Sequence, residues 1–331
     1  MTQPSLHTTF DTSLLDLRNN IKTAHSSFST TNSDPSMYNH VTQEEPGPSS
    51  RETTKPQAPA ETAPAAQKIE YLPTVDAYNE WASVYDTDGN MLQALDDIEL
   101  TTLLPGFLSS VLSQKSGDGK TLRIVDFGCG TARNTLKLLS YPWPVGFRVS
   151  VTGLDASEAM LELARNKTDA LLASFPTEHR SGLNVSFVQC DCLSPSSTPI
   201  LSEYGQADAI ISTLVLEHLP LTPFFTTLST LLRPGGLALI TNMHPEMGAK
   251  SQAGFVRTDP ATGEKVKVRG ISYVHGVRET VETAIRSGFE VVGSVRERTV
   301  DERLVERLGE RGRKWVGVSV WYGMVLKRVG Y

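Results

Sequence analysis

Cysteine is scarce in this chain: Cys129, Cys190 and Cys192 are the only three among 331 residues. Three cannot build a disulfide framework, so a reducing, cytoplasmic setting is expected. Long apolar runs are missing too, and none approaches the ~20 residues that a membrane-spanning helix needs. The N-terminus lacks the basic-then-apolar pattern of a secretory leader. Neither charge sign dominates: 31 Lys+Arg against 37 Asp+Glu leave a net charge of −6. That balance argues against electrostatically driven binding to nucleic acid or to an anionic membrane. The Cys190-Asp191-Cys192 triplet has no His or Cys partners at ligand spacing, so no metal is expected there.

Large apolar residues are absent from PGPSSRETTKPQAPAETAPAAQ (46–67), and five of the 19 prolines fall between Pro46 and Pro64. Such a stretch cannot bury enough surface to offset the entropy of ordering. Residues 1–68 are therefore expected to form a disordered tail. Within it FDTSLLDLRNNI (10–21) is a short helical candidate for docking a protein partner.

From residue 69 the pattern is that of a packed domain running to 331. Residues 74–86 predict a helix with Tyr78, Trp81, Ala82 and Tyr85 on one face, and 90–115 predict another. TLRIVDFG (121–128), VSVTGLD (149–155), NVSFVQCD (184–191), ADAIIST (207–213) and GLALITNMH (236–244) are apolar strands separated by helical segments. Strands of that kind are covered on both faces of a parallel sheet. The tail of the domain differs: 254–270 predicts a hairpin turning at Pro260–Gly263, and 277–288 a helix. The long strands 289–298 and 315–328, joined by a loop, should pair antiparallel. The expected fold is α/β: a Rossmann-like, seven-stranded, mostly parallel sheet with an antiparallel last strand and helices on both faces.

Open parallel sheets bind ligands beyond the carboxyl ends of their strands. The first strand runs into Asp126-Phe127-Gly128-Cys129-Gly130-Thr131-Ala132-Arg133, where glycines permit close backbone approach. The second ends in Asp155, placed to accept from a ribose diol, and the third in Asp191, which could accept from an adenine amino group. A dinucleotide fingerprint needs a small sixth residue, but that position holds Arg133. The acidic Asp126 would also repel a pyrophosphate and suits a cationic ligand instead.

These segments resemble the class I S-adenosylmethionine-dependent methyltransferases. IVDFGCGTARNT (124–135), GLDASEAMLELAR (153–165), FVQCDCL (187–193), ADAIISTLVLEHLP (207–220) and LLRPGGLALITNMH (231–244) are similar to successive family motifs, and YNEWASVYD (78–86) to the lid helix of members acting on small molecules. The resemblance implies lid helices over 69–118, a cofactor-binding core over 121–244, a substrate-capping insertion over 245–275 and a closing helix and strands over 276–331. It implies S-adenosylmethionine as cofactor. Gly128, Cys129 and Gly130 would line its methionine part, with Asp126 near the amino group. Asp155 would hold the ribose, Ala156 and Met160 would pack on adenine, and Asp191 with the Cys192 backbone would read the adenine edge. Thr213 and Leu214 would flank the sulfonium, and Tyr78 and Tyr85 would close the site. Ala132 departs from the family, which often has a third glycine there. His244 and His218 are the candidate general bases. The place after the fourth strand reads Ser212-Thr213-Leu214-Val215, without the Asn/Asp-Pro-Pro-aromatic element of nucleobase and amide methylation, so the acceptor is expected to be a small molecule. An NAD-dependent oxidoreductase and a catalytically silent partner protein stay open as alternatives.

Overall fold

The computed structural model describes residues 68–115 and 120–330. The tail expected over 1–68, with its helical candidate at 10–21, lies almost wholly outside them. Strands β1 (Lys68–Tyr71) to β10 (Ser319–Arg328) make two sheets. The large one contains β2 (Thr121–Phe127), β3 (Arg148–Asp155), β4 (Leu183–Gln189), β5 (Ala207–Thr213), β6 (Leu232–Met243), β9 (Phe289–Thr299) and β10. Their order is β4-β3-β2-β5-β6-β10-β9, parallel except for β10, which runs against both neighbours. This is the expected seven-stranded sheet. The chain leaves β2 toward β3 on one side, while β5 flanks β2 on the other, which opens a crevice at the carboxyl ends of these strands.

Alternate residues of the central strands feed two cores, as the two-residue strand period requires. Ile124, Val149, Val151, Ile211 and Leu239 pack under Leu100, Leu104, Leu108 and Val111 of α2 (Met91–Ser113). Val125, Phe127, Leu154, Ile210 and Ile240 face Phe224, Phe225 and Leu228 of α5 (Leu221–Leu231) and Ala284 of α6 (Val277–Arg286). Helix α1 (Thr74–Trp81) stops four residues short of Tyr85, so Tyr85 projects from a turn. Asn90 starts α2 by accepting from the Leu92 and Gln93 amides at 3.0 and 3.4 Å. α3 (Arg133–Leu139) and α4 (Glu158–Ser174) follow β2 and β3.

The hairpin is present as β7 (Gly254–Thr258) and β8 (Lys265–Arg269). Beyond expectation, β1 pairs in parallel with β8 and makes a three-stranded sheet beside α1. Between β9 and β10 the expected plain loop is helical over Glu302–Leu308 and Glu310–Arg313. Asp301 caps the first of these by accepting from the Leu304 amide at 2.8 Å. Leu304, Val305 and Leu308 fall on one helical face and pack with Trp315 and Trp321.

Candidate active site

The glycine loop closes the end of β2. The Gly128 and Cys129 amides donate to the Leu154 carbonyl at 2.8 and 3.0 Å, which turns the chain sharply. Gly128 has φ +73°, and a Cβ there would stand 2.3 Å from Val215 Cγ2. Gly130 has φ +52°, and its Cβ position is open space. Its amide donates to Asp155 Oδ2 at 2.8 Å, while the Ser157 amide donates to Oδ1 at 2.9 Å. Burial raises the Asp155 carboxyl above its usual range, against these two backbone bonds. Ala132 adopts φ +70°, the left-handed geometry that glycine would take without strain.

A cavity of about 370 Å³ lies over these strand ends. Its wall brings together Tyr78, Tyr85, Gly128, Gly130, Asp155 and Ala156 with Asp191, Cys192, Thr213, Leu214 and His218, all singled out from the sequence. Four other such residues do not reach the wall. Asp126 is 2% exposed and accepts from Thr135 Oγ1 at 2.6 Å beneath the loop, where burial lifts its carboxyl to about 6. Cys129 and Met160 are buried and take no part in the wall. His244 caps the turn Pro245–Gly248: its Nδ1 accepts from the Glu246 amide at 3.2 Å, and its Nε2 lies 2.9 Å from Glu297 Oε2. Both its nitrogens are spent outside the cavity.

His218 is placed differently. Its Nδ1 lies 3.0 Å from the Ile271 carbonyl oxygen, which can only accept. The proton therefore sits on Nδ1, and Nε2 accepts from the Tyr78 hydroxyl at 2.7 Å. Glu217 Oε1 is 4.0 Å from Nε2. Burial raises both the Tyr78 and Glu217 groups above their ordinary values. Tyr78 also meets Trp81 at 5.5 Å and Tyr85 at 5.9 Å between ring centres, and Trp81 stacks on Phe255 of β7. The 74–86 segment is further tied down where Asn79 accepts from Ser157 Oγ at 2.6 Å and Thr131 Oγ1 donates to Asp86 at 2.7 Å.

Ile271 and Tyr273 complete the wall from the loop after β8. No motif marked them; an apolar residue and an aromatic in an irregular segment carry no periodic signal. Among the described residues no helix is long and apolar enough to cross a membrane, and no cluster of His, Cys, Asp or Glu could hold a metal ion.

The family described as a methyltransferase domain matches residues 124–236. An uncharacterized methyltransferase of Emericella nidulans is 47% identical over 272 residues, which cover 78% of this chain and 91% of that one. A ubiquinone biosynthesis O-methyltransferase of Sinorhizobium fredii is 30% identical over 138 residues, 41% of this chain and 47% of that protein. The solved structure of an S-adenosylmethionine-dependent methyltransferase from Mesorhizobium loti has 20% sequence identity and a TM-score of 0.40, covering 66% of this chain and 96% of the other. The chain belongs to the class I S-adenosylmethionine-dependent methyltransferases. Its residues fit that cofactor: open space above Gly130 leaves room against the backbone, and the Asp155 and Asp191 carboxylates line the same wall as acceptors.

Proposed function

We propose that this methyltransferase acts on a small, uncharged, partly apolar acceptor, at oxygen before nitrogen or sulfur, in secondary metabolism. The observation that carries this reading is the cavity wall. Among the described residues it includes no Lys or Arg, so an anionic acceptor would find no cationic partner there, and beyond the strand ends it includes Val75, Tyr78, Leu219, Ile271 and Tyr273.

When bound, S-adenosylmethionine supplies a methyl group activated on a sulfonium. Asp155 would hold the ribose diol with the lone pairs its backbone bonds leave free, and Asp191 would accept from the adenine amino group. Gly128 and Gly130 would let the amino-acid arm approach the chain, and Ala156 would pack against the base. Tyr78 would close the cavity and exclude water. A hydroxyl acceptor must lose a proton, and His218 Nε2 is the base on the wall. Its hydrogen-bonded partner Tyr78 stays protonated because burial raises the phenol. A proton arriving through the Tyr78 hydroxyl would leave an imidazolium, held by the Ile271 carbonyl at Nδ1 and by Glu217 beside Nε2.

Incubation of the full chain with methyl-labelled S-adenosylmethionine and cell extract, with the product identified by mass, tests the reading. A labelled neutral hydroxyl, amine or thiol compound supports it; a labelled phosphorylated product overturns the uncharged acceptor, and cofactor binding without any product favours a silent partner protein. Asp155→Ala should weaken cofactor binding by at least about tenfold.

A further inference from the structure

The helical segment between β9 and β10 reaches across to the chain that leaves α1. Glu302 and Glu310 of that segment pair with Arg313, whereas Arg311 Nη1 donates to backbone: to the Asp88 carbonyl and, at 3.2 Å, to the Gly89 carbonyl. One guanidinium nitrogen carries two hydrogens, so both carbonyls can be served at once. Gly89 lies between them with φ +71°, a left-handed turn that glycine takes without strain. Arg311 itself stands on a firm base. Leu304, Val305 and Leu308 before it pack with Met91, Leu92 and Leu95 of α2 and with Trp315 and Trp321.

The turn that Arg311 holds carries a buried carboxylate. Asp88 is 2% exposed; its Oδ2 accepts from Trp81 Nε1 at 2.7 Å and its Oδ1 from the Asn90 amide at 2.9 Å. Burial lifts this carboxyl to about 6, against those two bonds and the nearby Arg311 charge. Trp81 ends α1, and its ring lies 5.5 Å from that of Tyr78 and 5.1 Å from that of Tyr85, centre to centre. Both tyrosines stand in the cavity wall. A continuous set of contacts therefore runs from Arg311 through the Gly89 turn, the Asp88 carboxylate and the Trp81 indole to the two phenols.

We infer that Arg311 and Asp88 are positioning residues that hold Tyr78 and Tyr85 over the cavity, so that the segment between β9 and β10 sets how fast the cofactor leaves. The assignment rests on the cofactor lying in this cavity, as proposed above. Without the guanidinium the Gly89 turn loses its fixed point, Asp88 no longer holds the indole in one place, and Trp81 moves together with both tyrosines.

Stopped-flow release of S-adenosylhomocysteine from the full chain, together with amide hydrogen exchange, tests this. Arg311→Ala should speed release at least about tenfold. It should also speed exchange over residues 74–89 by about tenfold, with the amides of β2 and β5 within about twofold of wild type. Arg311→Lys, which keeps the charge and donors but not the planar fork, should release the probe at a rate between the two. An unchanged release rate in Arg311→Ala overturns the inference. So does exchange that quickens equally in β2 and β5, because Arg311 then only supports the fold as a whole. Should that variant not fold, Trp81→Phe decides, since it keeps an aromatic ring beside the tyrosines and removes the N–H that Asp88 holds. Faster release then supports the positioning role and unchanged release removes it. A wild type that does not bind the probe removes the cofactor reading first, and this one with it.

Discussion

At His218 a single carbonyl decides what the imidazole can do. Ile271 fixes the proton on Nδ1, so Nε2 faces Tyr78 as a lone pair. His218→Asn should lower kcat by about 10²- to 10⁴-fold, the usual worth of a positioned base, with cofactor affinity unchanged; an unaltered kcat would mean the proton leaves by another route. Asp126 calls for a different measurement. Its carboxyl sits near 6 in the fold against an unfolded value of 3.8, so the folded state holds the proton more tightly. Stability is then fully present below about pH 4 and declines as pH rises through 6. Asp126→Asn removes that decline while keeping an acceptor for Thr135. Urea denaturation should find it more stable than wild type at pH 7.5, by up to about 3 kcal/mol, and nearly equal at pH 4. Because Asp126 lies under the loop rather than in the wall, its cofactor affinity should change little.

The elements that periodicity encodes were legible, and those that long-range contact creates were not. ADAIIST predicts a strand over 207–213 and β5 spans Ala207–Thr213, because a fully buried strand is apolar throughout. β1 is four residues with an exposed pattern and exists only because β8 supplies a partner 198 positions on, so nothing local marks it. The helices after β9 did carry a signal, an Asp cap followed by Leu304, Val305 and Leu308, which expectation of a simple antiparallel pair overrode. The glycine loop was legible as a loop, but not why each position tolerates what it holds. Gly128→Ala meets both a left-handed backbone and a Cβ clash, so it should cost more than about 2 kcal/mol and weaken the cofactor. Val215→Ala in the same chain should recover part of the loss, since it removes the clash and not the strain; no recovery would show that the backbone angle alone decides. Ala132→Gly should be neutral or stabilising by about 1 kcal/mol in the same urea assay.

At the scale of the molecule, strand-tip motifs gave away the floor of the site, whereas its roof comes from segments far apart in the chain. Tyr78, His218 and Ile271 share one hydrogen-bonded chain across about 190 positions, a juxtaposition that spacing cannot show. The same holds for what keeps the two halves of the fold in register. Asp96 of α2 is fully buried and accepts from Thr241 Oγ1 of β6 at 2.6 Å, Trp321 Nε1 of β10 at 2.9 Å and Arg133 Nη2 of α3 at 2.6 Å. One carboxylate thus joins a helix outside the sheet to its centre, to its antiparallel strand and to the helix behind the glycine loop. Removing it leaves a buried indole N–H and a buried hydroxyl without their acceptor, and takes from the Arg133 guanidinium one of its two carboxylate partners, Asp97 being the other. Asp96→Ala should therefore cost about 3–5 kcal/mol in urea denaturation, far more than an exposed pair. Arg133→Met alone would leave the carboxylate unpaired and should cost nearly as much, but together the two changes should cost less than their sum, because the second no longer uncovers a buried charge. Additive losses would mean that the hydroxyl and indole bonds, not the ion pair, fasten α2 to the sheet.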